Sequence, residues 1–231
     1  MTRIRDAAAL QLIGWPYRLG WPWIIMCISL AANIMLFSAE GGDAASKQGS
    51  WGFAVFIGEM IFGGQIIAQV FPFAVNLSMT RRSFYAAAIV LIVARSVVFS
   101  AVLLGLKLIE DATDGWGGGL RFFGAPGLAQ HNPALQLLSY TMLFVVLDLV
   151  ALVAAMAYAR WRANGLYTLI AGAGLVAAGI ASLLTWQQWW GDVYRWFAGQ
   201  PHLLLIGVWP LLFAALLACG GFLVIRRATL R

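Results

Sequence analysis

The sequence predicts an all-α, polytopic membrane protein that crosses the bilayer six times, and three observations predict it. Hydrophobic residues make up 62% of the 231-residue chain and charged residues only 10%, against about 25% charged in a soluble domain. Six segments are long and apolar enough to span: Trp21–Ala39, Phe53–Val75, Phe84–Leu108, Leu135–Tyr158, Leu166–Thr185 and Leu203–Ile225. A spanning helix needs about 20 such residues. The basic residues, finally, segregate onto alternate connections. No polar stretch is long enough to fold separately, so residues 1–231 read as a single transmembrane domain.

The segments can be justified in order. In residues 1–19, Ile4, Ala8, Leu12 and Trp15 recur at helical spacing with Arg3, Arg5 and Arg18 alongside. That pattern reads as an amphipathic interfacial helix, although an ordinary basic tail would satisfy it equally. The first apolar run begins only at Trp21 and is long enough to cross, so it reads as a retained span and not as a signal peptide. The second closes on Pro72, which is expected to kink or end it. Thr80 is a good N-cap for the third. The fifth is rich in Gly and Ala, which suit close helix packing better than lipid contact. Cys27 and Cys219 fall within spans and read as small buried hydrophobes, not as a disulfide or a metal pair.

Orientation follows from the arginines. One side carries Arg3, Arg5, Arg18, Arg81, Arg82, Arg160, Arg162, Arg226, Arg227 and Arg231; the other carries only Lys47, Lys107, Arg121 and Arg195. The ten-residue side, which includes both termini, is therefore expected in the cytoplasm. Of the acidic residues outside the spans, only Asp6 shares that side. The opposite side holds the longest connection, Ile109–Ala134, whose Gly115, Gly117, Gly118 and Gly119 read as a flexible turn. It also holds an aromatic crowd, Trp186, Trp189, Trp190, Tyr194, Trp196 and Phe197, as expected of an interfacial belt. Arg far outnumbers Lys and Ala is abundant, a composition that hints at a GC-rich bacterial genome; the expected location is the bacterial cytoplasmic (inner) membrane.

Three ionisable residues lie within spans: Glu59, Arg95 and Asp148. Each is costly there, about 3 kcal/mol on insertion scales, and must face protein or water. Counted from the cytoplasmic span ends, Arg95 and Asp148 lie at matched depths of ~16 and ~15 Å, and Glu59 at ~24 Å. Arg95 and Asp148 are therefore expected to pair and to lock two helices. Glu59 has no partner by this count and becomes the candidate for lining a substrate path.

Several classes are excluded by what is missing. No Gly-Lys-Ser/Thr phosphate loop occurs, no His-Glu-x-x-His and no Gly-x-Ser-x-Gly. His131 and His202 stand without a ligand cluster, so no metal site is expected. No basic run interleaves with stacking aromatics, so nucleic acid is not an expected partner. The chain is not expected to be an enzyme by itself.

The connection after the second span is the most informative stretch. Pro72-Phe73-Ala74, small residues and then Thr80-Arg81-Arg82-Ser83-Phe84-Tyr85 resemble the permease subunits of type-two ABC exporters, particularly small actinobacterial ones. Family members often carry Gly where this chain has Ser78. The resemblance implies that Asn76, Leu77, Ser78, Met79, Thr80, Arg81, Arg82, Ser83 and Phe84 form a coupling helix that docks a separate cytosolic ABC ATPase, with Arg81 and Arg82 as charged contacts. It also implies that residues 1–19 are a connecting helix along the inner leaflet. It implies a second permease chain, identical or related, and it implies that this chain binds no cofactor, ATP and Mg belonging to the ATPase. Without the resemblance, the same arginines serve as a topology signal alone. Two further readings stay open: a secondary transporter with Glu59 or Asp148 as its proton site, and a non-transporting membrane scaffold.

Overall fold

The computed structural model describes residues 2–11, 15–40, 53–77, 79–124 and 129–226. Among them the chain is all-helical: α1 (Thr2–Gln11), α2 (Trp15–Glu40), α3 (Phe53–Asn76), α4 (Arg81–Ala112), α5 (Pro133–Trp186), α6 (Trp190–Ala198) and α7 (Trp209–Arg226). Wide helical turns occupy Gly115–Gly119 and, running into α7, Leu204–Val208. Among the described residues five stretches are long and apolar enough to cross a membrane: Gly20–Ser38, Ala54–Asn76, Arg81–Ala112, Pro133–Trp186 and Leu204–Arg226.

Local chemistry sets the helix ends. Thr80 caps α4: its Oγ1 accepts from the backbone N–H of Ser83 at 3.2 Å. Asn132 caps α5 by accepting from Ala134 N at 2.9 Å, with Pro133 in the first helical position. That position has no helical N–H bond to lose. Pro72 does not end α3, which continues to Asn76. The flanking Phe71 and Ala74 are completely buried, and their packing holds the helix across the one missing backbone bond.

The fourth and fifth expected spans fall within α5. At ~1.5 Å per residue its 54 residues would reach ~80 Å, far beyond a bilayer. The backbone leaves helical geometry at Arg162 (φ 58°, ψ −147°), so α5 is two helical segments joined at one residue. Gly165 makes the join possible. A Cβ there would stand 2.6 Å from Cβ of Trp161 and 2.7 Å from the carbonyl of Ala157. The short loop expected between 158 and 166 is thus replaced by a single-residue break. The Gly/Ala-rich second segment does not find the close packing expected of it: residues 171–180 are exposed, with open space beside Gly172, Gly174 and Gly179. Cys27 and Cys219 are likewise exposed, not buried. Both lie on apolar helices, where an outward-facing small side chain needs no partner.

Among the described residues the core forms two apolar layers. One joins Phe71 and Ala74 of α3, Phe84, Tyr85, Ala88 and Ile92 of α4, Leu149, Leu152 and Met156 of α5, and Ala214 and Ile225 of α7. It lies toward the end of the bundle that carries Arg81, Arg160 and Arg226. The other joins Met26 of α2, Phe56 of α3, Phe99 and Leu103 of α4, Tyr140 and Phe144 of α5, and Leu120, Phe122 and Phe123 of the connection after α4. Along α3, α4 and α5, Glu59, Arg95 and Asp148 lie between the two layers.

Candidate functional site

Helices α3, α4 and α5 each contribute one charged side chain to a common point. Arg95 Nη2 donates to Asp148 Oδ2 at 2.9 Å, and Arg95 Nε is ion-paired with Glu59 Oε1. Glu59 and Asp148 are 1% and 2% exposed. Two carboxylates therefore share one guanidinium in an apolar surround. Among the described residues Asp148 Oδ1 has no hydrogen-bond partner, nor have the buried hydroxyls of Ser96 and Ser100, one and five residues along α4 from Arg95.

Glu59, placed without a partner by depth counting, is thus corrected into the cluster. The helices extend past the expected span ends. Counted from Arg81, the first residue of α4, Arg95 lies ~21 Å deep. Counted from Asn76, the last of α3, Glu59 lies ~25 Å deep. The long arginine side chain bridges that difference, and Asp148 lies ~21 Å from the break at Arg162. Sequence reading also missed Gly63, one turn from Glu59, whose absent side chain leaves the room that Arg95 Nη2 fills. The Gly63-Gly64 doublet beside an intramembrane acid was the available signal.

At the Arg-bearing end, the sequence expected a coupling helix over Asn76–Phe84. The described residues divide that stretch differently. Asn76 ends α3, Leu77, Met79 and Thr80 form the turn, and Arg81–Phe84 open α4; Ser78 lies outside the described residues. Thr80 starts α4 so early that, among the described residues, no separate helix stands between α3 and α4. The two arginines are not equivalent. Arg81 is half-buried and its Nη1 donates to the carbonyl of Arg226 at 3.5 Å, whereas Arg82 is exposed. Helix α1 packs across this turn: Leu10 joins the first core layer and Gln11 Nε2 donates to the carbonyl of Phe84 at 3.4 Å.

The opposite end is ordered by Glu110, which is 2% exposed. Its carboxylate accepts from Trp116 Nε1 at 3.2 Å and from the backbone N–H groups of Phe122 (2.9 Å), Phe123 (3.1 Å) and Gly124 (3.3 Å). Tyr140 Oη donates to the carbonyl of Phe123 at 2.8 Å. The glycine run expected to be a flexible turn is instead a folded cap on the second core layer. It uses left-handed backbone at Asp114, Gly115, Trp116, Gly117 and Gly119. Beyond it, α6 leaves a shallow apolar concavity of about 450 Å³ between Trp189, Val193, Trp196 and Phe197.

Comparison with protein-family models, with curated proteins and with solved structures found no match.

Proposed function

We propose that this chain is the membrane-spanning permease subunit of an ATP-driven ABC exporter, crossing six times, with the Arg-bearing end in the cytoplasm. The turn between α3 and α4 then docks a separate ATPase chain, which holds the ATP and Mg. The observation that carries the reading is this turn. It is short, joins two long apolar helices, is braced by α1, and presents Arg82 outward in the motif Thr80-Arg81-Arg82-Ser83-Phe84-Tyr85. Six crossings are supported by the break at Arg162, since each part of α5 exceeds the ~20 residues that a crossing needs. ATP-driven closure of two ATPases would move two such permeases between inward- and outward-open states, with the path between them. The test is mild-detergent purification of the tagged protein from its native membrane with mass spectrometry of what accompanies it. A stoichiometric ABC ATPase is expected, and its loss is expected in the Arg81→Glu/Arg82→Glu protein. Recovery of the chain without an ATPase, under conditions that keep other ABC complexes whole, sinks the reading.

One observation favours a second reading, transport driven by a proton gradient. Two carboxylates against one guanidinium leave an excess negative charge in an apolar layer, and a bound proton would neutralise it. Substrate movement in proteoliposomes under an imposed proton gradient, without ATP, would select this reading.

A further inference from the structure

Three arginines from three helices converge on the last turn of α7. Arg160 Nη1 donates to the carbonyl of Val224 at 3.5 Å, and Arg81 Nη1 to that of Arg226 at the same distance. Arg226 joins Arg160, Leu223 and Val224 in lining a cleft of about 320 Å³. A positive-inside signal requires a number of arginines on one side; it does not require them to meet at one helix end.

The electrostatics of the cleft are incomplete. Among the described residues, no carboxylate pairs with Arg81, Arg160 or Arg226. The partial negative charge of the α7 C-terminus offsets only about half of one positive charge. Each guanidinium has five N–H donors. Arg81 and Arg160 make one long hydrogen bond each here, at 3.5 Å, which uses one of the five donors on each guanidinium. The cleft thus offers several convergent donors to an anion with more than one acceptor oxygen.

Its surroundings identify the kind of anion. Leu223, 61% exposed, forms an apolar wall next to the charged rim. Trp161 is half-exposed and lies under Arg160, whose guanidinium carbon sits 4.2 Å from the ring centroid. Tryptophan and arginine at the end of an apolar helix mark the headgroup level of a bilayer. A charged rim over an exposed leucine suits an amphiphile, with phosphate oxygens at the guanidinium groups and an acyl chain along α7. Basic pockets between membrane helices hold anionic headgroups in this manner.

We propose that the cleft between Arg160, Leu223, Val224 and Arg226, with Arg81 at its edge, binds the phosphodiester headgroup of an anionic phospholipid. The ligand bridges the break in α5 and the end of α7, and so fastens the second half of the bundle to the first.

The test uses the full-length protein in a neutral detergent, with phosphatidylglycerol, phosphatidylcholine or inorganic phosphate added separately. Lipid retention is read by native mass spectrometry and thermal stability by unfolding. Phosphatidylglycerol is expected to be retained and to raise the unfolding temperature; the other two additions are not. In Arg160→Gln/Arg226→Gln, retention is expected to fall about fivefold per arginine removed. Arg226→Gln alone tests the same point with an exposed side chain whose loss leaves the fold intact. Undiminished phosphatidylglycerol retention in both variants overturns the proposal. Equal retention of phosphatidylcholine also overturns it, because charge would then not be the basis of recognition. Matching stabilisation by inorganic phosphate would assign the cleft to a soluble phosphate ligand and overturn the lipid assignment.

Discussion

A Cβ built on Gly63 would stand 2.8 Å from Nη2 of Arg95 and 3.4 Å from Oδ1 of Asp148. Gly63 therefore leaves the space that the Arg95 guanidinium occupies beside Asp148. At Gly64, the next position, the nearest atom is Cβ of Ala151 at 3.4 Å, an ordinary contact. The two glycines make a controlled comparison. Gly63→Ala is expected to push Arg95 off Asp148 and to destabilise the protein by about 1–3 kcal/mol, as overpacking does. Gly64→Ala is expected to be neutral or to gain up to ~1 kcal/mol from helix propensity. Thermal or denaturant unfolding in a fixed detergent reads both, and equal effects would place Gly63 outside the cluster's support.

Removing one charge from the cluster leaves the others buried without their partner. Arg95→Met is expected to cost about 3–5 kcal/mol, because both Glu59 and Asp148 lose their only ionic partner among the described residues. The triple change Glu59→Gln/Arg95→Met/Asp148→Asn removes the charges together and is expected to recover a large part of that loss. The coupling is read from the set of variants in one unfolding series. Additive effects across the set would mean that the three residues do not share an interaction energy.

Glu110 organises the cap through donors that a carboxylate accepts and an amide accepts poorly. Glu110→Gln replaces one acceptor oxygen by an NH2 group, which then meets N–H donors whichever way the amide turns: Phe123 and Gly124 at the Oε1 position, or Trp116, Phe122 and Phe123 at the Oε2 position. A loss of about 2–3 kcal/mol is expected, with faster amide exchange confined to residues 116–124. Gly115→Ala attacks the same cap through the backbone. Its φ is +68° and an added Cβ would lie 2.5 Å from Leu120 N, whereas Gly117, at φ +74°, has open space. Ala at 115 is expected to cost more than Ala at 117, where only the intrinsic left-handed penalty of about 1–2 kcal/mol applies. The reverse order would show that the cap does not hold this turn.

Much of the fold was legible because lipid imposes a simple rule: a long apolar run with few charges becomes a helix. The N-cap at Thr80 was readable for the same local reason, a hydroxyl at a chain turn ahead of a helix. Depth counting brought Arg95 to Asp148 but left Glu59 out, since hydropathy marks where apolar residues stop and not where the helix does; α4 starts at Arg81, three residues ahead of the expected Phe84. Glu110 illustrates a different limit. Its position in an acidic, glycine-rich connection outside the spans names no partner, and only the fold reveals that its acceptor oxygens meet backbone donors 12 to 14 residues away. Gly165 was illegible, and the Gly63-Gly64 doublet near Glu59 could mark a close approach without saying which glycine faces which atom, because no spacing rule names the atom that faces a glycine.

The inequality of Arg81 and Arg82 yields the last prediction. Arg81 is half-buried and reaches the end of α7, so Arg81→Glu would place a carboxylate near the carbonyl of Arg226 and at the negative end of that helix. A change there mixes any docking effect with a structural one. Arg82 is exposed, so Arg82→Glu changes the outer charge and little else; surface substitutions of this kind usually fall within about 0.5 kcal/mol. If the turn docks an ATPase, Arg82→Glu is expected to weaken co-purification of that ATPase at least about tenfold while the unfolding temperature stays at the wild-type value, since breaking a charged contact in an interface costs about 2 kcal/mol or more. Arg81→Glu is expected to lower both. Raising the salt concentration should weaken association in the wild type and have less effect in the Arg82 variant, because the screened contact is already gone. An Arg82→Glu protein that keeps its full complement of ATPase would remove this arginine from the interface and leave it as a topology signal.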